Sequence, residues 1–207
     1  MKYKAIIFDW DGVITDSVNI KTEAFAEMFR PFGKEIEQKV VEYHLAHGGV
    51  SRFEKFKYFY EELLHRQLDE KRLGELCDCF SKLVFDKIVA SNFIDGALET
   101  IKTAKANEAL LFVISGTPTD EMIAIAKAKG IADYFTEILG SPTKKTEWVR
   151  HILLKYALQP TEAVFFGDAI EDYNAAIDNN VDFIGVKIGD CHTMFPSGTT
   201  VKKKVAL

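Results

Sequence analysis

Asp9 and Asp11 stand two residues apart, directly after the apolar run Ala5-Ile6-Ile7-Phe8. A short apolar run rich in β-formers reads as a buried parallel strand. Side chains two residues apart on a strand share a face, so both carboxylates emerge together at its carboxyl end, the edge at which open α/β sheets bind ligands. Gly12 then lets the backbone turn tightly and approach a ligand closely. Two adjacent carboxylates repel each other and invite a divalent cation, and hard oxygen ligands suit Mg²⁺. One carboxylate could attack an electrophile while the other handles a proton. A solvated acidic turn would have the same composition, so the weight falls on the segments downstream of it.

Three further segments place chemistry-bearing residues in the same way. Ala109-Leu110-Leu111-Phe112-Val113-Ile114 delivers Ser115-Gly116-Thr117 at its end, where a hydroxyl and backbone N–H groups can donate to a phosphoryl oxygen. The same residues would equally cap a following helix, with Pro118 in its first turn. Lys144 and Lys145 precede a helical segment from Glu147 to Tyr156. A lysine at a helix start works against the macrodipole, and its ammonium would neutralise phosphate charge as a reaction proceeds. Ala163-Val164-Phe165-Phe166 ends in Gly167-Asp168, with Asp172 one helical turn further on. Taken alone, Asp168 is as good a helix N-cap as a metal ligand.

In this order the four segments resemble the haloacid dehalogenase (HAD) superfamily. Phe8-Asp9-Trp10-Asp11-Gly12-Val13 is similar to its first motif, Asp-x-Asp-Gly-Thr/Val after a hydrophobic strand, and Gly167-Asp168-x-x-x-Asp172 with Ala175-Ala176 is similar to its fourth. The resemblance implies roles residue by residue: Asp9 as nucleophile and Asp11 as general acid and base. It implies Mg²⁺ held by Asp9, the Asp11 backbone carbonyl and Asp168. Gly12, Ser115, Gly116 and Lys145 would surround the phosphoryl oxygens, and Asp172 would orient the metal shell or Lys145. Spacing after Gly-Ser-Pro favours Lys145 over Lys144. An acid at position 11 points to phosphoryl transfer from an ester, since dehalogenases and phosphonoacetaldehyde hydrolases of the superfamily have no leaving oxygen to protonate. The implied function is a Mg²⁺-dependent phosphatase acting on a small phosphorylated metabolite through an aspartyl phosphate.

The elements that must position these residues fall into two groups. From about Asp95 to the end, helix and strand signals alternate: helix Gly96 to Ala106, the Ala109 strand, helix Thr119 to Lys129, a strand near Phe135 to Leu139, the Glu147 helix, the Ala163 strand, helix Ile170 to Asn179 and strand Phe183 to Ile188. That rhythm predicts a doubly wound parallel sheet, a Rossmann-like α/β core. Residues between Asp16 and Asn92 carry four apolar stripes at helical spacing instead: Phe25-Met28-Phe29-Phe32, Ile36-Val40-Tyr43, Phe53-Phe56-Tyr60-Leu63 and Leu73-Leu76-Phe80-Leu83. They predict an all-helical cap over 16–91 inserted into a core of 1–15 and 92–207, the insertion point of the helical cap in the resembled superfamily.

The cap carries one clue to specificity. Arg52 starts the third helix after Gly48-Gly49-Val50-Ser51, where a cation is unfavourable but a guanidinium suits bidentate anion binding. Gly-Val-Ser-Arg is similar to the cap segment of β-phosphoglucomutases, where the arginine holds the non-reacting phosphate, so a phosphomutase is the alternative function. Against it, Lys21 stands where those mutases keep a histidine, and Gly-Thr-Pro after Ser115 departs from their Ser-Ala-Ser-Lys. Arg52 could equally pair with Glu54, Glu61 or another cap acid. A catalytically idle binding protein is the third reading, and it conflicts with the filled motif positions.

Composition sets the outer limits. The 207 residues, 47% of them hydrophobic, suffice for one core domain and a modest insertion, and the net charge of −5 argues against nucleic-acid binding. Without an 18-residue apolar stretch no membrane span is expected, and Met1-Lys2-Tyr3 running into the first strand leaves no room for a signal peptide. Three cysteines, with Cys77 and Cys79 in a helical pattern, suit free thiols of a reducing cytoplasm. His44 and His47 read as surface or packing residues, Lys202-Lys203-Lys204 as a solvated tail, and the expected state is a monomer or homodimer.

Overall fold

A computed structural model describes residues 2–187 and 195–207; Cys191 and the expected strand end at Ile188 lie outside the described residues. The chain opens with β1 (Ala5–Phe8), all four residues buried. Four helices, which form the insertion, follow it: α1 (Val18–Phe29), α2 (Lys34–Ala46), α3 (Arg52–Tyr58) and α4 (Glu70–Ala90). Then come α5 (Ala97–Ala106), β2 (Leu110–Pro118), α6 (Thr119–Ala128), β3 (Glu137–Ser141), α7 (Lys145–Lys155), β4 (Ala163–Gly167), α8 (Ile170–Ile177), β5 (Asp182–Val186) and β6 (Val201–Lys202). The strands form one sheet in the order β3-β2-β1-β4-β5-β6, and each pair is parallel.

The register positions the site. Phe8 lies opposite both Val113 and Phe166, so the segments beginning at Asp9, Ile114 and Gly167 run side by side at the carboxyl edge. Alternation along β1 sends Ile6 and Phe8 to one face, with Ile101 of α5 and Met122 of α6, and Ala5 and Ile7 to the other, with Val149 of α7 and Ala175 of α8. This doubly wound α/β core with an all-helical insertion is the predicted fold class.

The inserted helices α1 to α4 pack around phenylalanines. Phe25 lies 4.3 Å from Phe80 and 5.5 Å from Phe56 between ring centroids, and Phe29 lies 5.1 Å from Phe59. These rings are continuous with the apolar face of the sheet that carries Phe8 and Phe166. The two connections run side by side: the Asp16 N–H donates to the Asn92 carbonyl at 3.0 Å and the Ile94 N–H to the Ile14 carbonyl at 3.0 Å. No helix among the described residues is long and apolar enough to cross a membrane.

Several elements differ from the sequence expectation. The third stripe is interrupted because α3 passes into a wide π-type turn, Phe59–Leu63; the added residue turns Phe59 inward beside Tyr60, so the stripe's 3-4-3 spacing misses it. β2 continues through Ser115 to Pro118, with an irregularity in its pairing to β3 between Ile114 and Pro118, a device common beside active sites. α7 starts at Lys145, two residues before Glu147. The basic run is not simply a solvated tail: Val201 and Lys202 pair with Gly185 and Val186, and Lys202 Nζ donates to the Ala206 carbonyl at 2.8 Å. Cys77 is buried and Cys79 exposed, both as free thiols.

Candidate active site

Asp9 comes directly after β1 and is 3% exposed. Its backbone N–H donates to the Phe166 carbonyl at 2.9 Å, which fixes the carboxylate at the sheet's edge. The first residue of α7 supplies Lys145, whose Nζ donates to Asp9 Oδ1 at 2.8 Å and to Asp172 Oδ1 at 2.6 Å. The other oxygen of Asp172 accepts the Ala169 N–H at 3.1 Å, so Asp172 caps the start of α8 and orients Lys145 together. Lys144 is exposed. Of the two lysines, only Lys145 reaches the acids.

Asp11 faces a different set. Ser17 Oγ donates to Asp11 Oδ1 at 2.6 Å, and Lys21 Nζ donates to Asp11 Oδ2 and, at 2.8 Å, to Thr117 Oγ1. Ser17 begins α1 and Lys21 stands one turn along it. Gly12, at φ +77°, carries the chain away so closely that a Cβ there would lie 2.2 Å from Asp168 Oδ2; no larger residue fits.

Asp9, Asp168 and Asp172 each offer an oxygen within 4.8 Å of the others. Burial raises the Asp9 carboxyl to about 7; Lys145 offsets part of the effect, while Asp172 and Asp11 add to it. Asp168 is likewise pushed well above the ordinary carboxyl range by burial, then by Asp9 and Asp172. Its carboxylate accepts no hydrogen bond from a protein group among the described residues. Clustered hard oxygens with one acid lacking a donor fit a divalent cation, which would relieve their mutual repulsion. For Lys145, burial alone would depress the ammonium, but Asp172 and Asp9 outweigh it and hold the pKa above its usual value. For Asp11, burial is outweighed by Lys21 and then by Ser17, which hold the carboxyl below its usual value.

The helical insertion closes over these groups. Gly49, at φ +82°, passes so near that a Cβ there would lie 3.4 Å from Lys145 Nζ. A cavity bordered by Asp9, Asp11, Lys21, His44, Lys55 and Asp168 lies between insertion and sheet. Ser115 is 2% exposed, accepts the Thr117 N–H at 3.1 Å, and borders a neighbouring cavity with Lys145 and Glu171. Gly116 borders both cavities.

Arg52 points inward, as the first-turn position suggests, but its partner is neither Glu54 nor Glu61. Its terminal nitrogens donate to both Glu121 oxygens, at 2.9 and 2.8 Å, and one also reaches Ser81 Oγ at 2.6 Å. Glu121 lies in the first turn of α6, so this forked pair ties the insertion to the sheet's own helices. The guanidinium also covers the Phe80 ring, 4.7 Å from its centroid.

Sequence reasoning missed Lys55 and gave His44 only a packing role. Lys55 is 3% exposed and donates to His44 Nδ1 at 2.8 Å. Burial lowers the Lys55 ammonium to about 7, with Lys21 adding to the effect, and lowers His44 to about 3, with Lys55 adding. The histidine is therefore neutral, with its proton on Nε2 facing the Val18 backbone without closing a full hydrogen bond. The signal for Lys55 was its place three residues after Arg52, on the same helix face. His47 stacks on Tyr43 at 3.9 Å, a packing role as expected.

A buried aspartate bound to a lysine thus lies beside an acid cluster at the carboxyl edge of a doubly wound sheet, under a helical insertion. Residues 3–179 match the family model of haloacid dehalogenase-like hydrolases, and the chain belongs to that family. It is 27% identical over 199 residues to a phosphoglycolate phosphatase of Psychrobacter arcticus, covering 91% of this chain and 85% of that one. A phosphoglycolate phosphatase of Vibrio vulnificus is 26% identical over 198 residues, covering 91% and 86%. In fold, the chain is similar to the β-phosphoglucomutase of Clostridium difficile, with a TM-score of 0.79 at 21% identity over 98% of this chain and 91% of that one.

Proposed function

We propose that the protein is a Mg²⁺-dependent phosphatase that hydrolyses a small phosphomonoester through an aspartyl phosphate on Asp9. The observation that carries this reading is the pair of carboxylates at the end of β1 held in different environments. Among the described residues the Asp9 carboxylate is bound by Lys145 alone, whereas Asp11 is clamped by Ser17 and Lys21. Nucleophile and proton carrier require that separation of roles. The phosphatase names of the relatives agree with it.

In this mechanism Asp9 attacks phosphorus as Asp11 delivers a proton to the leaving alcohol oxygen; Asp11 then deprotonates the water that cleaves the acyl phosphate, regenerating Asp9. Asp11 must take up its proton against Lys21 and Ser17, so the form poised in this structure is the base of the second step. Lys145 neutralises charge on the transferring oxygens, with Ser115 and the N–H groups of Gly116 and Gly12 beside it. Asp9, the Asp11 carbonyl and Asp168 would hold Mg²⁺, and the ion would supply Lewis-acid charge stabilisation. Closure of the insertion keeps bulk water from the acyl phosphate. The phosphomutase alternative loses support where Lys21 engages Asp11 and Arg52 is taken up by Glu121.

The test is phosphate release from a panel of phosphorylated metabolites with and without Mg²⁺, phosphoglycolate first because the relatives are named for it. Mg²⁺-dependent release with inorganic phosphate as the main product is expected. An isomerised sugar phosphate with little free phosphate would overturn the reading.

A further inference from the structure

Among the described residues, Lys55 makes no ion pair; its one hydrogen-bond partner is the neutral imidazole of His44. It is 3% exposed, and the cations nearest to it repel it. A buried ammonium without a counterion costs stability, and proteins keep such groups where they have a use. Lys55 borders the cavity that Asp9 and Asp11 also border. The two other basic residues on the insertion's side of that cavity, Lys21 and Arg52, are already committed to Asp11 and Glu121. An ammonium has three donors, and His44 uses one of them.

We infer that Lys55, oriented by His44, is the residue that reads a second anionic group on the substrate, a carboxylate carried a short distance from the phosphate. The proposal rests on the phosphatase reading of the same site and gives it a substrate class: phosphate esters of small hydroxy acids. Lys55 is here a specificity residue that touches the non-reacting end, while Lys145 serves the reacting end. His44 is a positioning residue: accepting through Nδ1, it aims the ammonium without adding a charge that would compete with the substrate. Lys55, Asp9 and Asp11 border one cavity, which suits an anion close to the phosphate.

The experiment compares 2-phosphoglycolate with ethyl phosphate, which has the same length but no carboxylate, in wild type, Lys55→Met, Lys55→Arg and His44→Leu. A hydrogen-bonded charge pair implies about a 10- to 100-fold preference. Wild type should favour 2-phosphoglycolate in kcat/KM. Lys55→Met should lose at least tenfold more on 2-phosphoglycolate than on ethyl phosphate, with much of the loss in KM, and Lys55→Arg should restore part of it. His44→Leu should weaken the preference less than Lys55→Met. Equal losses on both esters, or no preference in wild type, would overturn the assignment. Melting temperatures separate function from folding: Lys55→Met should melt no lower than wild type, and a clear fall would make Lys55 structural. Should no ester of these two or of the metabolite panel release phosphate, the phosphatase reading fails by itself. The anion site is then read by thermal shift, where 2-phosphoglycolate should stabilise wild type more than Lys55→Met, and equal shifts would overturn it.

Discussion

The sheet side of the cleft is rich in acids, with Asp9, Asp11, Asp168 and Asp172 against the single ammonium of Lys145, whereas the helical insertion brings cations, Lys21, Arg52 and Lys55. Two of the three reach across to sheet-side acids, Asp11 and Glu121, and so join the halves; the third makes no ion pair among the described residues. Asp9 and Asp11 follow β1 and Asp168 follows β4, while Asp172 stands on α8 and Glu121 on α6, so the acids are set by strand ends and by the helices that leave them. The cations come from helices whose contacts with the sheet are side chains. On the proposed reading, reaction chemistry thus sits on the sheet and the helices that leave it, and recognition on the inserted helices.

The largest effect should come from the sheet side. Asp9→Asn keeps the shape of the nucleophile but removes its capacity to accept a phosphoryl group, so turnover should fall at least about a thousandfold. Because the variant also lessens repulsion within the acid cluster, its melting temperature should stay near that of wild type. A phosphate-release assay on purified variant checks it, and near-wild-type turnover would remove Asp9 from its role. Excess chelator should next bring turnover down by about a hundredfold or more, with Mg²⁺ restoring it and raising the melting temperature through binding to the folded state. Full activity in chelator would refute the metal assignment for Asp9 and Asp168.

That division also governs what the sequence discloses. Asp9, Asp11 and Asp168 were legible because they come just after buried strands, and parallel strands in register bring their ends to one edge; Asp172 was legible one helical turn beyond Asp168. Lys145 over Lys144 followed from motif spacing. The insertion was legible as four helices, since apolar stripes report packing, yet the partners of its charges were not. Arg52 meets Glu121 across 69 residues, and no local pattern connects them. Lys55 sits among aromatic neighbours in a stretch whose periodicity the π-type turn disrupts, so its inward orientation was hidden. The pairing of β6 depends on only two residues and a parallel partner far back in the chain, a contact too short to leave a pattern.

The Arg52–Glu121 pair offers a way to sharpen the contrast. It is buried and bidentate, and removing one member of such a pair leaves the other's charge uncompensated, at about 3–5 kcal/mol. Arg52→Met and Glu121→Leu should each lower the melting temperature, and the double variant should recover much of the loss. A double-mutant cycle by thermal or denaturant unfolding measures the coupling. Additive losses would mean that the two residues act separately, and that the insertion does not depend on this bond for its seat on α6.

The smallest effect expected concerns Lys55 and pH. Its ammonium titrates at about 7 in the folded protein and near 10.5 when the chain unfolds, because burial disfavours the charge. Lys21 and Lys145 repel it, whereas Glu171 and Asp11 attract it, so the value reflects all the neighbouring elements. Between these two pH values the unfolded chain binds a proton that the folded protein has released, so stability rises with pH in that window. Below about 7 both states are charged and the full penalty applies; above about 10.5 neither is, and it vanishes. Lys55→Met lacks this group. The variant should therefore melt above wild type by the widest margin near pH 6–7, and the margin should shrink toward pH 10 by up to about 10 °C, given at most about 1.4 kcal/mol per pH unit from one proton. Melting curves of both proteins at matched ionic strength provide the measurement. A margin that stays constant across the range would show that Lys55 is not the uncompensated cation of the cleft, and one that widens with pH would mean that it has found an acid partner.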